Sequence, residues 1–282
     1  MKPHNEKIVN KGDVSIYTEY FGNPNNPAIL LIAGATVSML YWDDRFCNKL
    51  ADEKFFVIRY DNRDVGKSTT YSPGSAGYDI MDLVDDAINI LNTYSIKKVN
   101  IMGISLGGLL AQIIAIRNPE RVNSLIVLSS GIWGTPDPTV PEMDSSIIDF
   151  QAGAALLDWD DEQAVVTYML HSAKLMAGRK PVDYLREEKR IKEEFRRAAN
   201  YRSMFNHSLL EGGDAYYNRV NEIEAPTLII HGTDDKIWHF AHTDKLLSEI
   251  KNSRLLALEG TGHELNPNDW DVITTTIKGF IN

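Results

Sequence analysis

Hydrophobic residues in the first half of the chain form two alternating patterns. Apolar runs of strand length occupy residues 28–33, 55–60, 99–103 and 122–128. Segments with apolar residues at helical spacing lie between them, as in 43–52 and 78–94. Continuous apolar runs are typical of strands covered on both faces. The alternation therefore predicts a mostly parallel sheet with helices on both faces, after an initial hairpin of residues 6–10 and 14–21.

The pattern changes near residue 130 and returns after Glu224. Between these points only helical segments are predicted, at residues 145–157, 161–176, 182–200 and 203–210. Strands are again predicted at 226–231 and 254–258, each followed by a helix. We therefore expect a core of residues 1–130 and 221–282, with a helical cap of residues 131–220. The cap should cover the carboxyl ends of the strands, where ligands bind in open α/β sheets.

Charge and composition narrow the classes of partner. The formal net charge is −10, which argues against nucleic acid and anionic membranes as main partners. Residues 184–199 are rich in Arg, Lys and Glu, and their narrow apolar face favours a solvated helix with charge pairs. Cys47 is the single cysteine, so a reducing compartment is expected. No signal peptide or membrane span is predicted, and we expect a cytoplasmic protein.

The run from Val99 to Gly108 holds the strongest candidate for chemistry. A strand ends at Gly103, and a helix begins directly after Ser105 in the pattern Gly-x-Ser-x-Gly. So sharp a turn forces the serine into a sparsely populated backbone conformation and raises its hydroxyl above the sheet. The glycine at each side lets the strand and the helix approach one another. Although the five-residue pattern alone is common, its place between strand and helix predicts a nucleophile at Ser105.

A serine hydroxyl needs a base and an orienting carboxylate before it becomes reactive. Candidates follow the two late strands, where the loop after 226–231 carries Asp234 and Asp235 and the loop after 254–258 carries His263. Loops that leave parallel strands share one sheet edge with Ser105. Because adjacent residues point in different directions, only one of the two aspartates can face the imidazole.

Several other residues are candidates for a metal, catalytic or substrate-binding site. His239 and His242 lie three residues apart, too few ligands for a metal centre, and no cofactor is expected. The segment 61–64 places carboxylates beside an arginine, and we interpret it as a structural turn. Aromatic and methionine side chains are frequent in the cap, and Trp133 and Trp238 are the two expected to contact a substrate.

Four segments together resemble the α/β-hydrolase-fold serine hydrolases over nearly the whole chain. They are Leu30–Ala35, Arg59–Ser68, the Ser105 turn, and the pair formed by Gly232–Asp235 with Gly262–His263. Within that superfamily the amino-terminal half is most similar to aclacinomycin methylesterase and to esterases of polyketides, including macrolide esterases. The chain order of serine, aspartate and histidine is the one found in α/β-hydrolases.

The resemblance implies a role for each matching residue. Ser105 would be the nucleophile, His263 the base and Asp235 the acid, with the backbone amides of Ala35 and Leu106 as the oxyanion hole. The implied function is hydrolysis of a carboxylic ester, with a bulky polyketide or macrolide ester or lactone as substrate and antibiotic resistance as a biological role. A carbon–carbon bond hydrolase or perhydrolase of the same fold is the alternative enzyme. A ligand receptor that does not turn over its ligand is the alternative outside enzymes.

Overall fold

An eight-stranded sheet lies at the centre of the protein. The structure is a computed structural model that describes residues 5–281, so the first four residues and the last one of the predicted core lie outside the described residues. The strands are β1 (Asn5–Lys11), β2 (Val14–Phe21), β3 (Ala28–Ile32), β4 (Phe56–Tyr60), β5 (Val99–Ile104), β6 (Val122–Leu128), β7 (Thr227–Gly232) and β8 (Ser253–Leu258).

The strand order is β1-β2-β4-β3-β5-β6-β7-β8. β1 pairs antiparallel with β2, and β2 pairs antiparallel with β4. All further neighbours in the sheet are parallel. Every residue of β3, β4, β5 and β7 is buried, as expected for the central strands of a sheet covered on both faces. The predicted α/β fold class is confirmed.

Helices cover both faces of the sheet. The α-helices are α1 (Asp44–Asp52), α2 (Ile80–Thr93), α3 (Leu106–Arg117), α4 (Ser145–Ala152), α5 (Glu162–Met176), α6 (Tyr184–Arg197), α7 (His242–Glu249) and α8 (Trp270–Ile281). The apolar residues of α2, α3 and α7 belong to one hydrophobic core and those of α1 and α8 to another. Two apolar layers therefore fix the sheet from both sides.

The interval between β6 and β7 contains helices and no strand. It carries α4, α5 and α6, and 3₁₀ turns replace part of the expected α-helix at Gly153–Leu156 and Tyr201–Leu209. A small apolar cluster that includes Trp159, Val165 and Met204 lies under these helices. Its contact with Val65, which follows β4, joins the interval to the sheet.

Helix α6 differs from the solvated helix that its charge density predicts. Its charge pairs are present, with Arg190 bound to Glu194 at 2.8 Å, but Glu187 and Glu194 are buried. Arg190 also binds Glu187 at 2.7 Å, and Ser38 donates to Glu194 at 2.8 Å. Because each buried carboxylate is paired with an arginine and hydrogen-bonded, this face of the helix can be buried. The prediction of a solvated helix is therefore wrong for one side of α6.

Candidate active site

Ser105 occupies the sharp turn between β5 and α3. Its backbone has φ 53° and ψ −122°, a sparsely populated conformation for a residue with a side chain. The turn is held by hydrogen bonds from the amide of Ser105 to the carbonyl of Leu128 at 3.1 Å and from the Ser130 hydroxyl to the carbonyl of Ser105 at 2.9 Å. The Ser105 hydroxyl caps no helix amide, so it is available to a ligand.

Two glycines make the sharp turn possible. A Cβ built on Gly103 would lie 2.0 Å from the carbonyl oxygen of Gly107, and one built on Gly107 would lie 2.2 Å from the carbonyl oxygen of Ile32. No larger residue fits at either place without displacing backbone. The close approach predicted from the Gly-x-Ser-x-Gly pattern is therefore present in the structure.

Asp235 and His263 form a hydrogen-bonded pair beyond the ends of β7 and β8. The carboxylate oxygen Oδ2 of Asp235 lies 2.9 Å from Nδ1 of His263. Its other oxygen accepts the backbone amides of Ile237 at 2.8 Å and Trp238 at 2.9 Å. Since an ionised carboxylate can only accept, Nδ1 carries the hydrogen and Nε2 of His263 keeps a free lone pair. That nitrogen can take a proton.

The surroundings of Asp235 keep its carboxyl ionised. Burial is the largest single influence and acts to raise the pKa, but His263 and His231, together with the hydrogen bonds, outweigh it, and the pKa is lowered. His231 is fully buried, and Nε2 lies 2.7 Å from the carbonyl oxygen of Trp238 and 3.5 Å from Oδ2 of Asp235. His231, for which the sequence favours packing at a strand end, thus also holds the segment that carries the carboxylate.

Asp234 points away from His263. Its carboxylate binds Nε of Arg179 at 2.7 Å at the protein surface, and the same arginine reaches Glu259 at 2.6 Å. The two adjacent aspartates therefore make different contacts, as the alternation of side chains predicts. The structure brings Asp235, and not Asp234, to the imidazole.

The segment after α5 lies directly against the loop of His263. The amide of His263 donates to the carbonyl of Met176 at 2.9 Å, and the amide of Arg179 donates to the carbonyl of Gly260 at 2.8 Å. A Cβ built on Gly178 would lie 2.4 Å from the Gly260 oxygen. The position of the imidazole is thus fixed partly by a helix far from it in sequence, a contact that the sequence does not reveal.

The amides of Ala35 and Leu106 flank the serine. Leu106 is the first residue of α3, whose first amides have no acceptor within the helix. Ala35 follows Gly34, and a Cβ built on Gly34 would lie 3.9 Å from the Ser105 hydroxyl oxygen. The next residue, Thr36, donates its amide to Nδ1 of His207 at 2.9 Å. The loop that carries Ala35 is therefore fastened beside the hydroxyl.

His207 is a residue whose part in the site the sequence leaves undecided. It is buried, and its Nε2 lies 2.7 Å from the carbonyl oxygen of Arg63 while Nδ1 accepts from Thr36. Burial lowers its pKa, so the ring is neutral near neutral pH. It links the interval between β6 and β7 to two loops of the sheet. The sequence offers no signal for this, because the partners are separated by more than a hundred residues.

Ser105 and His263 line one large cavity of about 1510 Å³. Ligand pockets usually measure roughly 300–1,000 Å³, so this one admits a bulky molecule. Its wall contains Ala35 and Leu106. Large apolar side chains from the interval between β6 and β7 form much of the remainder: Met143, Trp159, Tyr168, Met169, Met176, Met204 and Phe205.

The two tryptophans expected to contact a substrate have different positions. Trp238 lines the cavity and packs edge-on against His242, with ring centres 4.8 Å apart. Trp133 is outside the cavity wall: its indole nitrogen donates to the carbonyl of Gly213 at 2.9 Å, and its ring packs on Tyr217. Trp133 is thus bound to the backbone of the interval between β6 and β7, and its place does not support the predicted substrate contact.

The segment 61–64 is a structural turn. Asp61 binds both terminal nitrogens of Arg197, at 3.0 and 2.7 Å, and accepts the amide of Met39 at 2.9 Å. Arg63 makes a two-point contact with Asp86 at 2.7 and 2.9 Å. Asp61 and Arg63 are thus buried and paired with distant parts of the chain, and none of residues 61–64 lines the cavity.

The remaining candidates show no arrangement for chemistry. Within residues 5–281, no three His, Cys, Asp or Glu side chains are grouped to hold a metal ion. Cys47 is buried, which raises the pKa of its thiol to about 12. None of the helices in the same range combines the length and the apolar character needed to cross a membrane.

This fold and this site define a hydrolase of the α/β fold. Residues 27–269 match the family described as alpha/beta hydrolase fold, and the chain belongs to that family. It is similar to a rhodomycin D methylesterase of Streptomyces sp., with 26% identity over 92% of each chain. It is also similar to a putative carbamate hydrolase of Agrobacterium fabrum, with 24% identity over 90% of this chain and 93% of that one.

A solved structure shares the same fold. An esterase from Rhodococcus sp. ECU1013 superposes with a TM-score of 0.79, covering 99% of this chain and 98% of that one at 18% identity. At that identity the likeness shows the fold alone. The expected resemblance to the α/β-hydrolases, and to the methylesterase group within them, is confirmed.

Proposed function

We propose that the protein is a serine carboxylic-ester hydrolase that works through an acyl-enzyme. The observation that carries the proposal is the 2.9 Å contact between Asp235 and His263, facing the cavity onto which strained Ser105 also opens. A base with an orienting carboxylate, opening onto the same cavity as a serine hydroxyl, supports nucleophilic ester cleavage.

The proposed reaction has two halves. Nε2 of His263 takes the hydroxyl proton while Oγ of Ser105 attacks the ester carbonyl, and the tetrahedral intermediate then expels the alcohol, which receives that proton. Water next attacks the acyl-enzyme with His263 again as base, releasing the carboxylic acid and restoring the serine. Asp235 stays ionised throughout and stabilises the imidazolium that forms in each half.

The developing oxyanion would be bound by the amides of Leu106 and Ala35. Removal of one such donor typically costs about 3 kcal/mol in the barrier. The first donor is placed by the start of α3. The second is placed by the loop that His207 holds through Thr36. Because both donors are backbone groups, the short side chains of the Ala33-Gly34 sequence do not remove the second one.

The substrate is proposed to be a bulky ester or lactone, of the polyketide or macrolide kind. The cavity volume and its wall of aromatic and methionine side chains support this size and polarity. The likeness to a rhodomycin D methylesterase supports an ester of a large polycyclic compound. An antibiotic-resistance role and a cytoplasmic location belong to the same proposal, as does the division into a core of 1–130 and 221–282 with a cap of 131–220.

A substrate panel tests the proposed reaction. Purified protein is incubated with macrolide lactones, methyl esters of aromatic polyketides and ring-cleavage dienones, and products are identified by mass spectrometry. We expect addition of one water to a lactone, or conversion of a methyl ester into its free acid with release of methanol. Turnover of dienones alone would instead establish the carbon–carbon bond hydrolase. Binding of panel members without any turnover would establish a receptor.

Replacement of Gly178 by alanine should slow hydrolysis through His263. The added Cβ would meet the Gly260 carbonyl, so the loop carrying the imidazole must shift. A displacement of about 1 Å in a catalytic group can cost ~10²-fold in rate, and we expect kcat/KM to fall by about 10- to 100-fold. Gly153→Ala is the matched control, since a Cβ there meets nothing within 4 Å. Equal kcat/KM in the two variants would show that the segment after α5 does not position His263.

A further inference from the structure

One end of the cavity is polar. Tyr41, α6 and the loop after His263 meet there, and the wall includes Arg186, Glu187 and Glu264. The hydroxyl of Tyr41 accepts the amide of Leu265 at 3.1 Å, which joins the loop to the opposite wall. This end therefore lies beside the imidazole, within the same space that would receive a substrate.

Terminal guanidinium nitrogens of both arginines at this end already bind carboxylates. Arg186 binds Glu187 at 2.6 Å, and Arg190 binds Glu187 at 2.7 Å and Glu194 at 2.8 Å. A further carboxylate, that of Asp43, lies 4.0 Å from Arg186. Their positive charge is thus shared among the carboxylates of Asp43, Glu187 and Glu194, none of which is Glu264.

Glu264 lines the cavity without a bonded cation among residues 5–281. Its recorded partner is the side-chain amide of Asn266, at 3.1 Å. Burial raises the pKa of its carboxyl, although the hydrogen bond from Asn266 and the charge of Arg186 act to lower it, so the ionised form is incompletely compensated. A partly buried carboxylate that only one neutral donor contacts gains free energy when a positively charged donor enters beside it.

We propose that Glu264 is the anionic half of a subsite that binds a protonated amine of the substrate, next to the reacting ester. His263 and Glu264 both line the cavity, so an amine at the carboxylate and an ester carbonyl at Ser105 can belong to one molecule. Asn266 holds the carboxylate toward the cavity. The subsite deepens the proposed ester hydrolysis, and it selects amino-substituted esters over neutral esters of equal shape.

Two ester pairs of matched shape test the subsite. The first pair is 2-(dimethylamino)ethyl butyrate and 3-methylbutyl butyrate, which differ in the alcohol portion. The second is the 4-nitrophenyl ester of 4-(dimethylamino)butyrate and that of 5-methylhexanoate, which differ in the acyl portion. The wild type should favour the cationic member of at least one pair by about tenfold in kcat/KM, the scale of one hydrogen bond to a charged group.

The substitution Glu264→Gln removes the charge and keeps an acceptor for Asn266. It should abolish the preference, so that kcat/KM for the cationic ester falls to that for the neutral ester measured with the same variant. Glu249→Gln, which removes the same charge from an exposed site at the end of α7, should keep the preference. A preference that survives in Glu264→Gln, or its absence from both pairs in the wild type, would overturn the subsite.

Binding separates this proposal from the proposed reaction. The inactive Ser105→Ala protein should bind the favoured cationic ester about tenfold more tightly than its neutral partner in calorimetry, and adding Glu264→Gln should equalise the two. Hydrolysis of neutral esters with no such difference would refute the subsite and leave the esterase intact. The binding difference without any hydrolysis would refute the esterase and leave the subsite intact.

Discussion

Substitution of Ser105 by alanine should lower kcat/KM for ester hydrolysis by about 10⁴- to 10⁶-fold, the range seen when a serine nucleophile is removed. The hydroxyl is the only group of the proposed mechanism that forms a covalent bond to the substrate. Since it caps no helix amide in the structure, its loss should leave the folded state nearly as stable. A small change in Tm together with a very large loss of rate is therefore expected.

The measurement is steady-state hydrolysis of a 4-nitrophenyl ester, paired with thermal unfolding of each variant. Ser208→Ala is the matched control, because it removes a hydroxyl that lines the same cavity and donates to the nearby carbonyl of Phe205 at 2.7 Å. That control should cost about 1 kcal/mol in stability and retain most of the activity. If Ser105→Ala kept the wild-type rate, covalent catalysis by this residue would be disproved.

Replacement of Asp235 by asparagine is expected to cost about 10³- to 10⁴-fold in kcat, the effect that loss of a triad carboxylate has in a serine protease. The amide of asparagine can donate to Nδ1 of His263, which would place the hydrogen on Nε2 and remove the lone pair facing the cavity. The amides of Ile237 and Trp238 keep an acceptor in this variant. The loss should therefore appear in kcat much more than in stability.

Asp234→Asn provides the control for this prediction at the adjacent position. Its carboxylate binds Arg179 at the surface, where such a pair contributes about 0–1 kcal/mol. Activity should stay within a few-fold of the wild type. The reverse pattern, with the large loss in Asp234→Asn, would show that Asp234 and not Asp235 orients His263.

The local parts of this architecture could be read from the sequence because short-range physics determines them. Continuous apolar runs identified the buried strands β3, β4, β5 and β7, and the Gly-x-Ser-x-Gly turn located Ser105 with its strained backbone. The chain order of the late loops limited the acid to two neighbouring residues. The resemblance to α/β-hydrolases favours Asp235 of the two, and the observed contact with His263 agrees with it.

Features built from distant partners could not be predicted. The charge density of α6 indicated solvent exposure, since nothing local shows that Glu194 meets Ser38 from another part of the chain. Trp133 was expected to face the cavity, but a carbonyl 80 residues away holds its indole nitrogen. The contact of His207 with Thr36 spans 171 residues. Such pairings depend on how the helices between β6 and β7 pack against the rest of the chain.

Covalent labelling with an alkyl fluorophosphonate tests most directly that His263 activates Ser105. The account predicts one adduct, located by peptide mass spectrometry on the segment that contains Ser105, and loss of labelling in His263→Ala protein that remains folded. An adduct on another residue, or equal labelling with and without the imidazole, would contradict the account.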